Sequence, residues 1–135
     1  MNQQDIEKAK VVAIITLKLP LVTMQLSEKL GPDQCVADHS IENGSGESYG
    51  LYYRNTLFLG YQYQLWKERN TGFVIKLAQH LNTAEMTARF TDYFKTFGTV
   101  QTYKEQYTFL DISTLLSLEQ RFDIIEKMVR GFFES

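Results

Sequence analysis

Residues 49–80, YGLYYRNTLFLGYQYQLWKERNTGFVIKLAQH, carry the pattern that decides the fold. Tyr49, Leu51 and Tyr53 alternate with smaller or polar residues, and Arg54-Asn55-Thr56 marks a turn. Leu57, Leu59, Tyr61, Tyr63 and Leu65 then alternate with Phe58, Gly60, Gln62, Gln64 and Trp66. Lys67 to Gly72 make a second turn, after which Phe73, Ile75 and Leu77 alternate with Val74, Lys76 and Ala78. Successive side chains of a strand point to opposite faces, so this period, bounded by turn residues, is the signature of consecutive hairpins. The stretch predicts a three-stranded antiparallel meander.

Upstream, Ile6, Ala9, Ala13 and Leu17 fall on one stripe at helical spacing and predict a helix over Asn2 to Leu17. Pro20 interrupts it, because proline lacks the amide donor and crowds the preceding turn. A second helical piece runs to Leu30 and stops at Gly31-Pro32. Gln34 to Ile41 reads as a short strand, and ENGSGES, residues 42–48, as a mobile loop. Downstream, Asn82 is placed to cap a helix, with Glu85 in the reciprocal capping position. Met86, Phe90, Tyr93, Phe94 and Phe97 form that helix's aromatic stripe, and Gly98 closes it. Thr99 to Ile112 is strand-like, either one long bent strand or two short ones broken near Lys104-Glu105. Ser117 and Gln120 form a capping box for a last helix, whose apolar face is Leu118, Phe122, Ile125, Val129 and Phe132. The expected architecture is α+β: an antiparallel sheet of three to five strands packed with N-terminal, middle and C-terminal helices. The order is α-β-β-β-α-β-α, in one domain over residues 1–135.

The 135 residues are enough to bury roughly two-thirds of the unfolded chain's surface, so no disulfide or metal is needed for folding. Cys35 is the only cysteine, which suits a reducing, cytoplasmic setting. The apolar run Val11 to Leu26 is broken by Lys18 and Pro20 and falls short of the ~20 apolar residues of a spanning helix. The pI of about 5.7 argues against a nucleic-acid partner, which calls for a basic face. The charge is uneven, however: residues 1–48 and 99–135 are acidic, and 49–98 carry a mild basic excess.

Three constellations bring together residue types that chemistry uses. Asp38, His39, Glu42 and Glu47 bring oxygen and imidazole ligands of the kind divalent cations take, without the spacing of any known loop. Cys35 with His39 or His80 has the residue types of a thiol nucleophile and its base. The order helix, three strands, helix, strand resembles the core of restriction-endonuclease-like folds. That resemblance implies an acid-x-Lys on a central strand. Lys76 is placed as that lysine, but the residue two before it is Val74, and Leu57 to Trp66 contain no acid. The same order also resembles small secretion-chaperone-like domains of similar size and acidity.

The second face of the meander carries Tyr52, Phe58, Gln62, Gln64, Trp66 and Lys76. Aromatics, amides and a cation make an interface-like set, whereas bare surface prefers Lys and Glu. The alternative is that a helix of the same chain covers this face. The expectation drawn is a non-enzymatic protein-binding protein of immunity-protein, inhibitor or dedicated-chaperone type, of bacterial or phage origin. Its site would be Tyr52, Gln62, Gln64, Trp66 and Lys76, with no catalytic residue, metal or cofactor, and a homo-oligomer left open. Two alternatives stand beside it: a divalent-metal, nuclease-like enzyme using Asp38, Glu42 or Glu47, and a small-ligand pocket between helix 82–97 and the sheet.

Overall fold

A computed structural model of the chain describes residues 2, 3, 6, 19–42, 46–63, 73–103, 107–112 and 122–135, with the side chains of 40–42, 46, 47, 62, 63 and 103 excepted. The helix expected over 2–17 lies almost wholly outside these residues. So do the turn at 67–72, the break at 104–105 and the capping box at 117–120.

The fold is α+β. Helix α1 (Leu19–Leu30) leads into β1 (Cys35–Glu42), β2 (Gly46–Tyr53), β3 (Leu57–Tyr63) and β4 (Phe73–Leu77). Helix α2 (Ala84–Phe94), strands β5 (Val100–Tyr103) and β6 (Tyr107–Asp111) and helix α3 (Phe122–Glu134) follow. The six strands form one sheet in the order β1-β2-β3-β4-β6-β5, and every pairing is antiparallel. One strand more than the expected three to five arises because residues 99–112 form two, β5 and β6. Gly46, Glu47 and Ser48 do not belong to a loop; they pair with Glu42, Ile41 and Ser40, so the meander has four strands. Residues 99–112 resolve into the two-strand alternative.

Local chemistry explains the boundaries. Pro20 lies within α1, among its described residues. Gly31, at φ 102°, ends that helix in a conformation open to glycine, and its N–H donates to Ser27 O at 2.9 Å. Arg130 of α3 completes the cap, its Nη2 donating to Leu30 O at 3.0 Å. The β2–β3 turn has φ 52° at Arg54 and 53° at Asn55, the pattern of a type I′ hairpin. Arg54 is held there by Gln34 through its backbone N–H and its Nε, and its guanidinium lies 5.1 Å from the Phe133 ring centre.

Two caps differ from expectation. Thr83, not Asn82, is the N-cap of α2, accepting from the Met86 N–H at 3.2 Å. Asn82 instead faces the sheet, where its Oδ1 accepts from the Thr108 hydroxyl at 3.0 Å. Gly98 does not close α2 either: the helix ends at Phe94 with Lys95 as its cap. Phe97 therefore falls past the helix and stands 49% exposed.

All three helices contribute to the main core on one sheet face, which Leu51, Leu57, Leu59, Ile75, Leu77 and Leu110 line from the strands. Phe90, Phe94 and Phe132 are fully buried at its centre, the rings of Phe94 and Phe132 stacked 5.5 Å apart. Phe122, expected in the core, is half-buried and packs against its edge.

Candidate functional site

The strand register sets out the second face row by row. Directly opposed residues of an antiparallel pair share a face. Val36 opposes Tyr52, Tyr52 opposes Phe58, Phe58 opposes Lys76, Lys76 opposes Phe109, and Phe109 opposes Gln101. One row thus crosses all six strands. The next row is Asp38, Gly50, Gly60, Val74 and Asp111.

The centre of this face is closed. Phe58, Val74 and Phe109 are buried and form a second apolar cluster, with Tyr52 and Tyr107 packed against it. Lys76 is only 7% exposed. Its Nζ lies 5.0 Å from the Phe58 ring centre and 5.5 Å from that of Tyr107, within cation–π range of both. The edge is different: Val36 on β1 is 60% exposed, and its neighbour Tyr52 is half-buried, its ring edge-on to Phe58 at 5.4 Å. Burial, and secondarily the Asp38 carboxylate, push the Tyr52 hydroxyl above its ordinary value. Asp38 also accepts from the Ser48 hydroxyl at 3.4 Å.

Of the expected binding residues, the structure therefore places Tyr52 and Lys76 in one row with Phe58 between them. Gln62 is a β3 residue opposite Ser48, its side chain outside those described, and Gln64 and Trp66 lie outside the described residues. The burial of the centre left a signal in the sequence. Leu57-Phe58-Leu59, Phe73-Val74-Ile75 and Phe109-Leu110 are unbroken apolar runs, as strands covered on both faces require.

The other constellations come apart. Asp38 and His39 are successive strand residues and point to opposite faces. Glu42 and Glu47 belong to β1 and β2, not to a loop. Among the described residues no group of three or more His, Cys, Asp or Glu could hold a metal ion. Cys35 and His39 are four residues apart on one strand, about 13 Å at the usual rise, well beyond hydrogen-bond reach. Burial pushes the Cys35 thiol up, against the lowering effect of a Ser27 hydrogen bond, so it stays protonated at neutral pH. His80 is exposed in the turn after β4.

A cleft of about 680 Å³ opens between α2 and the β5–β6 hairpin. Thr83, Thr87 and Thr91 line it from the helix, at the i, i+4, i+8 spacing that shares one helix face. Thr102 and Thr108, a cross-strand pair, line it from the sheet. At its root Asn82 Oδ1 takes the Thr108 hydroxyl and, at 3.5 Å, that of Thr87.

Among the described residues no helix is long and apolar enough to cross a membrane. Comparison of the chain with protein-family models, with curated proteins and with solved structures finds no match.

Proposed function

We propose that this chain is a non-enzymatic protein-binding protein that meets its partner at the β1 side of the second sheet face. The observation that carries the reading is the exposed Val36 beside the half-buried Tyr52 on an edge strand of the described sheet. An apolar side chain and an aromatic with a polar tip, at the rim of a rigid sheet, offer contact area at little entropic cost. An edge strand also presents backbone donors and acceptors that an extended partner segment can pair with. Lys76, the residue a nuclease-like site would use, is packed under two rings and follows Val74 rather than an acid.

The test is capture of the partner from source-cell lysate on the immobilised full chain, with identification by mass spectrometry. A retained protein whose binding weakens on Val36→Asp, and by about 2 kcal/mol or more on Trp66→Ala or Tyr52→Ala, supports the site. Retention unchanged by all three substitutions, with each variant still melting as the parent does, would reject it.

A further inference from the structure

We infer that the partner at the β1 edge is a second copy of this chain, which adds its own β1 across a two-fold axis at His39 and so makes one continuous antiparallel sheet. The inference rests on the protein-binding reading and names the partner. Among the described residues β1 ends the sheet, and it is open on both sides. Val36 is 60% exposed toward the second face, while Ala37 and His39 are exposed toward the core face. Edge strands of monomers are blunted by lysine, proline, a bulge or short length, because an unpaired row of N–H and C=O groups recruits another strand. The β1 sequence CVADHSIE has no lysine or proline, runs eight residues and follows β2 in one unbroken register. Such an edge invites pairing rather than preventing it. The opposite edge, β5, offers only four residues.

The backbone fixes which residues meet the second copy. The Arg54 N–H donates to Gln34 O at 2.9 Å, so the Gln34 carbonyl turns toward β2. Tyr53, opposite Cys35, turns its carbonyl the other way and accepts from the Thr56 N–H at 3.0 Å. Bonding alternates along an antiparallel pair. Val36, Asp38 and Ser40 therefore bond inward to β2, while Cys35, Ala37, His39 and Ile41 present their backbone groups outward. A two-fold axis normal to the sheet keeps each face on its own side, so only residues of the same face can oppose each other. With Asp38 at that axis, its carboxylate meets that of its own copy. With Ser40 there, Asp38 meets Glu42. Opposed like charges destabilise a cross-strand pair. With Ala37 there, pairing runs past Cys35 into Asp33 and Gln34, which belong to a 3-10 turn and not to the strand. With His39 at the axis, residues 36–42 all pair and no two carboxylates oppose: Asp38 falls opposite Ser40, Ala37 opposite Ile41 and Val36 opposite Glu42. The outward groups of Ala37, His39 and Ile41 then make about six backbone hydrogen bonds with the second copy. This charge-compatible self-pairing selects a second copy as the occupant of the edge. It also sets the two Val36–Tyr52 patches on the same side of the joined sheet, flanking the axis.

The experiment is sedimentation equilibrium of the full chain. A single strand pair is a small interface, below about 1,200 Å² in total, so the association should be reversible. The mass should rise with concentration from 15.7 kDa toward twice that value. Ala37→Pro removes an outward N–H, at the kind of edge position where proline is tolerated. It should weaken the association at least tenfold and leave the melting temperature of a dilute sample unchanged. If Ala37→Pro fails to fold, Ser40→Asp, which sets a carboxylate against Asp38 of the second copy, carries the same expectation. Oxidation reads the register. In a Cys35→Ser background, His39→Cys should form an intermolecular disulfide, because residue 39 opposes itself at a Cα separation of about 5.5 Å. Ala37→Cys, four positions out of register with itself, should stay reduced. A mass of 15.7 kDa at every concentration up to about 1 mM would overturn the inference. So would a dimer untouched by the folded edge variant, or a dimer in which His39→Cys does not cross-link. A monomer that still retains a lysate protein through Val36 and Tyr52 overturns this inference alone and leaves the protein-binding reading standing. A monomer that retains nothing removes both.

Discussion

Gly131→Ala is a change that helix propensity alone would favour. Gly131 lies inside α3, where alanine is better than glycine by up to about 1 kcal/mol. The packing says otherwise. A Cβ at this position would meet the Tyr93 hydroxyl oxygen at 2.2 Å and its Cζ at 3.2 Å. Tyr93 reaches across from α2 through the space that the glycine leaves, and its hydroxyl donates to Met128 O at 2.7 Å. Its ring is fixed among those of Phe94, Phe97 and Phe132, with centre distances of 4.8, 5.5 and 5.8 Å. The added methyl therefore forces the ring aside. That loses a hydrogen bond of about 0.5–1.5 kcal/mol and adds overpacking of about 1–3 kcal/mol. After the gain in propensity, the net loss is about 1–3 kcal/mol. Tyr93→Phe removes the atom that the methyl strikes, at a cost of about 1 kcal/mol for the lost hydrogen bond. In that background Gly131→Ala should cost far less than in the parent, and could stabilise. Urea unfolding of the four proteins, followed by far-UV circular dichroism, closes the double-mutant cycle, with an expected coupling of about 1–2 kcal/mol. A neutral or stabilising Gly131→Ala in the parent, or equal effects in the two backgrounds, would refute the close approach of α2 and α3.

Arg130→Ala should destabilise by about 1–2 kcal/mol, since it uncaps the Leu30 carbonyl. Arg130→Lys should recover little, because an ammonium lacks the planar fork; thermal melts of both variants check this. Replacing Arg54-Asn55 by Asn-Gly suits a turn with both φ angles positive and should raise the urea midpoint by the equivalent of about 0.5–1 kcal/mol. A fall would mean that the Arg54 contacts with Gln34 and Phe133 outweigh the backbone preference. Cys35, with an ordinary value of 9.0, and Tyr52 and Tyr93, with 10.0, are all raised, mainly by burial. Each holds its proton more tightly folded than unfolded, so the stability it contributes is complete below its ordinary value and declines as pH rises above it. Urea midpoints at pH 8, 9, 10 and 11 should fall progressively, and less steeply in Tyr52→Phe.

The meander was legible in the sequence because Leu57, Leu59, Ile75 and Leu77 alternate cleanly and their partners are near in the chain. The β1–β2 hairpin was read short because Gly46, Glu47 and Ser48 are loop formers by composition. Their strand state is imposed by pairing with residues 40–42, a tertiary effect that overrides propensity. The cap of α2 was misplaced by one residue for a similar reason. Asn82 and Thr83 are both good caps, and Asn82 is drawn away by Thr108, 26 positions later. The cleft was anticipated only as a place between a helix and the sheet. Its lining depends on Thr102 opposing Thr108, a register that no local pattern reports. On the second face the alternation located Tyr52 and Lys76 in the same row. It did not convey that Phe58, between them, is sealed from solvent.

The bond from Arg130 to Leu30 joins residues 100 positions apart. During synthesis at about 5–20 residues per second, roughly 5–20 s pass between the emergence of the two. Throughout that interval α1 has an unfinished end, and Leu57, Leu59 and Ile75 lack the Ile125, Val129 and Phe132 side chains that later cover them. The nascent chain therefore carries an open apolar sheet until the C-terminal helix docks, and its solubility on the ribosome depends on how long that helix takes to arrive.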